Sequence, residues 1–369
     1  MRVLTVGNLY PPQHLGGYER MWQAAVAGLR AEGHDVHVLT TDTRFNDEPD
    51  VEPGIDRSLR WYWREHRFPY MGPIAVRTLE RHNRGVLLRA ARDADVVSWW
   101  SMGGMSLRLL GAVNGVPTLS VVHDDWLIYG PRVDRALQRR RKRLPPAEAL
   151  GHGLFVSRHT LDRARENGWA PPTAEVLHSG YDERCFEPEQ PRPWRWRLLL
   201  PGRIDARKGH RTAVAALDHL PEETTLIVAG AGDDAFAAEL ARDPRVRLTG
   251  LLGPDALAAA YADADAVLFP TEWEEPWGLV PLEAMAVGRP VVATGTGGSG
   301  EYLRSGRNCL LHPVGDAEGL AAAVRRLAGD EALRARLREE GFATARRHTL
   351  SGFVERVCEA HARAYASRG

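Results

Sequence analysis

Apolar runs of strand length recur along the chain, each followed by a polar, glycine-bearing stretch and then by a segment of helical period. Residues 2–7 (RVLTVG) open the series, NLYPPQHLGG follows, and apolar positions at Tyr18, Met21, Trp22, Ala25, Val26 and Leu29 then predict a helix to residue 33. The same alternation predicts strands at 35–40, 95–100, 117–122 and 153–157, and helices at 76–91, from the SMGGMSLRLL stretch onward, and at 158–168. A second series has strands at 197–201, 225–229, 246–248, 266–270 and 291–294. Its helices fall at 212–220, 255–262, after Gly278, and at 319–328 and 331–347, with an amphipathic helix at 351–366. Strand, glycine loop, helix, repeated, is the pattern of an α/β chain built on parallel sheets. Residues 185–196 (CFEPEQPRPWRW) are proline-rich and aperiodic and read as a linker. The expected division is therefore a first domain at 1–183 completed by a terminal helix at 350–369, a linker at 184–196, and a second domain at 197–349.

Composition narrows the classes. Lys plus Arg number 48 and Asp plus Glu 48, so no global basic field draws in nucleic acid or an anionic membrane. Three cysteines, Cys185, Cys309 and Cys358, lie far apart and in no metal spacing, which fits reduced thiols and a cytoplasmic protein. The amino-terminal stretch MRVLTVGNLYPP is too short in apolar residues for a signal peptide, and no later run is long enough to span a bilayer. Only Lys142 and Lys208 are lysines, an arginine bias that points to a high-GC bacterial genome and makes each lysine informative.

Candidate chemistry collects at strand ends, where parallel sheets bind ligands. After 266–270 comes TEWEEPWGLVPLE, with Glu275 in the loop and Glu283 two turns into the following helix; both could accept hydrogen bonds from ligand hydroxyls, or be a loop carboxylate and a helix-start acid favoured by the dipole. Arg203 and Lys208 share the loop GRIDARKGH before a helix start, so a planar fork and a point charge can meet one diphosphate; the alternative is ion pairing with Asp205 or a glutamate. Gly16 and Gly17 allow close backbone approach to a phosphate, or form a plain turn. His123, Asp124 and Asp125 end a strand, as a site or as a polar cap; adjacent carboxylates there do not converge easily on a metal. Trp61, Tyr62, Trp63, Phe68 and Tyr70 offer either an acceptor surface or core aromatics. The basic run at 132–143 reads as a solvated face, with an anionic acceptor or membrane surface as the alternative.

Glu275, seven residues, Glu283, with Pro276 and Gly278 between them and PVVAT (290–294) following, resembles the signature of family four retaining glycosyltransferases of GT-B fold. The resemblance covers the second domain with specific motifs and the first more loosely. It implies two facing doubly wound, Rossmann-like α/β domains with a cleft between them, a nucleotide-sugar donor that is most often UDP-linked, and no metal or other cofactor. It gives Glu275 to the donor-sugar hydroxyls, Glu283 to the ribose, and the amides at Trp277, Gly278 and Leu279 to sugar and phosphate. Arg203 and Lys208 match its pyrophosphate pair, and Gly16 and Gly17 its glycines opposite the diphosphate. Gly202, Gly230, Gly232, Gly250 and Leu251 fall on the nucleotide side, and His123 matches the histidine near the reacting carbon. His123, Arg203, Lys208 and Glu275 are thus the expected catalytic set. The implied reaction is a same-face substitution onto a small-molecule, natural-product, antibiotic or glycan acceptor. Membrane association is not favoured. An epimerase or hydrolase of the same fold, an envelope glycan or glycolipid transferase, and a non-catalytic sugar-nucleotide module remain as alternatives; a pyridoxal phosphate phosphorylase is disfavoured because Lys208 already has a role.

Overall fold

The computed structural model describes residues 1–13, 16–45, 47–50, 52–63, 69, 71–113, 115–138 and 144–367, with 134–138 as backbone only. The chain divides into two units, residues 1–178 with 353–369, and residues 179–352. Unit 1 runs β1 (Arg2–Val6), α1 (Tyr18–Ala31), β2 (Asp35–Thr41), β3 (Ile55–Leu59), α2 (Pro73–Ala90), β4 (Val96–Trp99), β5 (Thr118–Val122), α3 (Trp126–Gln138), β6 (His152–Phe155), α4 (Arg158–Glu166) and β7 (Thr173–Val176). All seven strands are parallel, in the order β3-β2-β1-β4-β5-β6-β7. The strands near the middle are buried along nearly their whole length because helices cover both faces of such a sheet; β4, for example, is buried at every residue, Ser98 included.

Unit 2 repeats the plan: β8 (Arg197–Pro201), α5 (His210–Ala216), β9 (Thr225–Ala229), α6 (Asp234–Leu240), β10 (Val246–Gly250), α7 (Pro254–Asp263), β11 (Ala266–Phe269), α8 (Val280–Val287), β12 (Val291–Ala293), β13 (Leu310–Leu311), α9 (Ala317–Gly329) and α10 (Glu331–Ala345). Its order is β10-β9-β8-β11-β12-β13, again parallel. Winding goes one way from β8 to β9 and the other way to β11, so the loops after β8 and β11 flank the reversal, the place where doubly wound sheets hold ligands. The last helix, α11 (Leu350–Ala366), belongs to unit 1 from Phe353 onward. There Val354 packs so closely on Gly28 of α1 that a β-carbon at that position would lie 2.2 Å from its Cγ1. Arg356 donates to the Val176 carbonyl at 2.7 Å, and Arg363 pairs with Glu175 at 2.6 Å.

Several expectations change. The stretch SMGGMSLRLL (101–110) does not open an α-helix; a 3-10 segment, Leu107–Ala112, forms there instead. Residues 179–196, read in part as a linker, are bonded into unit 2: the Glu189 N–H donates to Val287 O at 3.0 Å, and the Arg195 and Arg197 amides both donate to Asp265 Oδ2 at 2.8 Å. Buried Arg289 completes that seam through the carbonyls of Ala262 (2.6 Å), Gln190 (3.1 Å) and Tyr261 (3.4 Å). Trp61 and Tyr62 are buried, and Trp61 stacks on Trp63 with centroids 4.9 Å apart, so the core reading of these aromatics holds; Phe68 and Tyr70 lie outside the described residues. Of the basic run, Arg132 is exposed on α3, while 139–143 lie outside the described residues. Among the described residues no helix is long and apolar enough to cross a membrane.

Candidate functional site

In unit 2 the loop after β8 is shaped by Asp205, whose carboxylate accepts the Arg207 N–H at 3.0 Å and caps the 3-10 turn Ala206–Lys208. The Arg207 guanidinium is forked onto the same carboxylate and holds Asp205 at about 2, well below an ordinary aspartate. Gly209 then turns with φ +73°, and a β-carbon there would sit 1.9 Å from the Pro270 carbonyl oxygen, so only glycine fits between the two loops. Across that contact the Arg207 carbonyl accepts the Glu272 N–H at 2.7 Å and the Thr271 hydroxyl at 3.2 Å. The loops after β8 and β11 are therefore bolted together at the winding reversal.

That junction brings Lys208 onto Glu275, with Nζ 2.6 Å from Oε2. Trp273 Nε1–H donates to the same oxygen at 2.9 Å, and the Trp273 ring lies 4.7 Å under the Arg207 guanidinium and 5.3 Å from Lys208 Nζ. Glu275 is buried, and its own backbone carbonyl accepts the Gly298 N–H at 2.7 Å. Arg203 stands half-exposed beside the group, 3.8 Å from Asp205. The ion-pair reading of the Arg203 and Lys208 loop is observed, each cation lying against a carboxylate at the end of β8.

Glu283 lies in the first turn of α8, not two turns in, because the helix starts at Val280. Gly278 cannot be its first residue: φ is +88°, and its carbonyl accepts the Tyr302 hydroxyl at 2.6 Å. The Glu283 carboxylate accepts the hydroxyl of buried Tyr261 from α7. Trp277 turns its indole into the protein, donating to Ser179 O at 3.0 Å and packing on Tyr302 and His348, so its ring is structural. Leu279 precedes α8 as its cap residue. Gly202, Gly230 and Gly250 meet through their backbones: a β-carbon on Gly230 would lie 2.0 Å from Gly202 O, and Gly230 bridges Gly250. Gly232 bridges Ile204 in the same way, and Leu251 is exposed next to them.

In unit 1 the Gly16 N–H donates to Glu19 Oε2 at 3.1 Å, and Gly17 is the cap of α1. Glu19 is fully buried and was not singled out from sequence, although an acid in a first helical turn is a recognisable cap signal. His123 follows β5 and is stacked on Trp100, which is stacked on Trp22, with centroids 5.7 and 5.8 Å apart; Phe353 of α11 meets its edge. Burial pulls the imidazole down to about 3, so it is neutral at physiological pH. Asp124 accepts the Trp126 N–H and the Tyr129 hydroxyl, each at 3.1 Å, and burial pushes it up to about 6. Asp125 lies 3.9 Å from Arg163. Among the described residues no group of three or more His, Cys, Asp or Glu side chains could hold a metal ion. Sequence reasoning also missed Trp273 and Tyr261, the side chains that hold the two glutamates.

Comparison with known proteins gives two matching family descriptions, "Glycosyltransferase Family 4" over residues 15–184 and "Glycosyl transferases group 1" over residues 195–330. A protein of Mycobacterium tuberculosis named glycogen synthase is 30% identical, with 90% of this chain and 87% of that one aligned. Among solved structures, the sucrose-phosphate synthase of Thermosynechococcus elongatus superposes with a TM-score of 0.77 at 19% identity, over 99% of both chains. HepE of Anabaena, solved in complex with UDP-glucose, superposes with a TM-score of 0.70 at 18% identity, over 98% of this chain and 100% of that one.

Proposed function

The chain belongs to the family 4 glycosyltransferases of GT-B fold, and from that premise we propose that it moves a hexose from a UDP-linked donor to a hydroxyl of a small-molecule or glycan acceptor, with retained configuration and without a metal. The observation that carries the reading is the junction of Lys208, Arg203 and Glu275 at the winding reversal of unit 2. Two cations there suit a diphosphate, and an adjacent carboxylate suits the hydroxyls of the sugar attached to it. The complex of HepE with UDP-glucose supports a UDP-hexose as the donor class.

In the reaction the bond between C1 and the diphosphate oxygen breaks, and its electron pair leaves with the phosphate. The acceptor oxygen bonds to C1 on the same face and passes its proton to that phosphate oxygen. Arg203 and Lys208 stabilise the charge that grows on the leaving group, the kind of preorganised electrostatics that dominates such steps. Glu275 grips the sugar, and Glu283 in the first turn of α8 grips the ribose. His123, neutral through its burial, serves as a hydrogen-bonding partner and not as a cation.

The test pairs acceptor dependence with two substitutions. UDP-hexose consumption that requires an acceptor supports transfer; equal consumption without one makes the protein a hydrolase or epimerase. Glu283→Gln should raise the donor KM and weaken UDP binding, because the ribose is held alike in ground and transition states. Glu275→Gln should lower kcat and weaken UDP-glucose, yet leave UDP affinity nearly unchanged, because UDP lacks the sugar. The reverse pattern in calorimetry would exchange or remove the two assignments.

A further inference from the structure

Two donors converge on one oxygen of Glu275, and they differ in kind. Lys208 reaches it at 2.6 Å with an ammonium on a flexible four-carbon stem, a point charge that reorients readily. Trp273 reaches it at 2.9 Å with a rigid ring. That ring is fixed from several sides. Its backbone carbonyl accepts the Thr296 hydroxyl at 2.7 Å, and its face carries the Arg207 guanidinium, which is itself held by Asp205 at 2.7 Å. The residues before it, Thr271 and Glu272, are tied to the Arg207 carbonyl.

We propose that Trp273 is a positioning residue of the transfer reaction: its indole N–H keeps the Glu275 carboxylate aimed at the donor sugar when Lys208 turns from Glu275 to the donor diphosphate. The inference rests on the assignment of Lys208 and Glu275 made above. A diphosphate carries more charge than one carboxylate and draws the ammonium to itself. Once the ammonium has moved, the orientation of Glu275 depends on the donor that does not move. A carboxylate rotates easily about its last torsion. The indole N–H, set by the ring and the backbone behind it, opposes that rotation before any sugar hydroxyl arrives.

The experiment reads binding alone and needs no acceptor. UDP and UDP-glucose are titrated calorimetrically into the full chain, into Trp273→Phe, which keeps a flat ring and loses the N–H, into Glu275→Gln, and into the double variant. Trp273→Phe should weaken UDP-glucose about tenfold, as expected for a lost hydrogen bond to a charged group, while UDP stays within about twofold. On the Glu275→Gln background the same change should alter neither ligand by more than about twofold, since the charged carboxylate that the indole aims has been replaced by a neutral amide. A structural role would instead weaken both ligands together, or lower the melting temperature, and leave the ratio of the two affinities untouched. Equal weakening of both ligands, wild-type binding by Trp273→Phe, or full additivity with Glu275→Gln overturns the proposal. Should Glu275→Gln bind UDP-glucose and UDP with wild-type affinities, or the unaltered chain bind neither, the assignment of Glu275 itself fails, an outcome distinct from failure of Trp273 alone.

Discussion

Lys208 and Glu275 share one short contact, and it sets the expected behaviour of the cations around it. Lys208→Ala and Arg203→Ala should each cut turnover by about 10²- to 10³-fold, the scale for losing one preorganised donor to a developing anion. Nucleotide affinity should fall far less, and steady-state kinetics beside calorimetry would show the split; wild-type turnover in both variants removes the pair from the reaction. Lys208→Arg should also be impaired, because a planar fork does not replace a point charge at fixed reach over the Trp273 ring. Lys208 was legible in the sequence because lysine is so rare here, and the two glutamates through their spacing. Tyr261 was not, because Glu283 lies 22 residues away in sequence. Trp273 and Glu19 were not, because their partners are near in sequence but the direction of each side chain is set only by the folded loop and helix start. A further residue-scale expectation concerns His361, buried in α11 with Nδ1 donating to Val357 O at 2.8 Å. Burial lowers it from 6.5 to about 4, so between those values the unfolded chain takes up a proton that the folded chain refuses. Stability is therefore full above about 6.5 and falls as pH drops towards 4. Asp124, raised from 3.8 to about 6, acts with the opposite sign, its contribution present below 3.8 and lost as pH rises through 6. His361→Gln should flatten the acid-side fall of Tm measured by circular dichroism; an unchanged slope would clear His361 of it.

At the level of elements, strands and helices with strong apolar periods were read to within a few residues, and the failures have physical causes. The two-residue β13 is too short to carry a period, and α6 is a seven-residue helix whose clearest mark is its Asp233 cap, which accepts the Phe236 N–H at 2.7 Å. The stretch before Leu107 has glycines and no cap, and there the chain settles into 3-10 turns. The position of Glu283 was misjudged by a turn because Gly278 looked like a helix start and is a left-handed link before it. Gly209 is the sharpest test at this scale. Gly209→Ala should cost about 1–2 kcal/mol for the left-handed backbone alone, and more for the contact with the Pro270 carbonyl. The loops after β8 and β11 would then part, and differential scanning calorimetry should show a lower transition together with reduced turnover. A variant as stable and active as the parent would mean that the junction is not tight.

For the whole molecule, the division into units was legible as two series of strand, loop and helix, whereas the exact seam was not. Prolines suggested a linker, and those residues are held by Arg289, Asp265 and Val287, partners whose proximity no local pattern reveals. Unit 1 is discontinuous, closed by α11 against Gly28. Gly28→Leu should lever Val354 and its helix away and expose Cys358, whose thiol burial has pushed up to about 12, while Cys309 in unit 2, likewise at about 12, stays protected. Thiol labelling followed by mass spectrometry distinguishes the two cysteines, and equal labelling of both, or of neither, would contradict the closure role of α11.

The same discontinuity orders events on the ribosome. A polypeptide emerges from its amino end, so residues 1–178 leave the tunnel while most of residues 179–352 are still to be made, an interval on the order of ten seconds at ~5–20 residues per second. The face of α1 around Gly28 has no cover during that time. Unit 2, whose chain is continuous, can finish while the unit that was begun first waits for its closing helix; any pause in translation lengthens the exposure of the earlier half and leaves the later half unaffected.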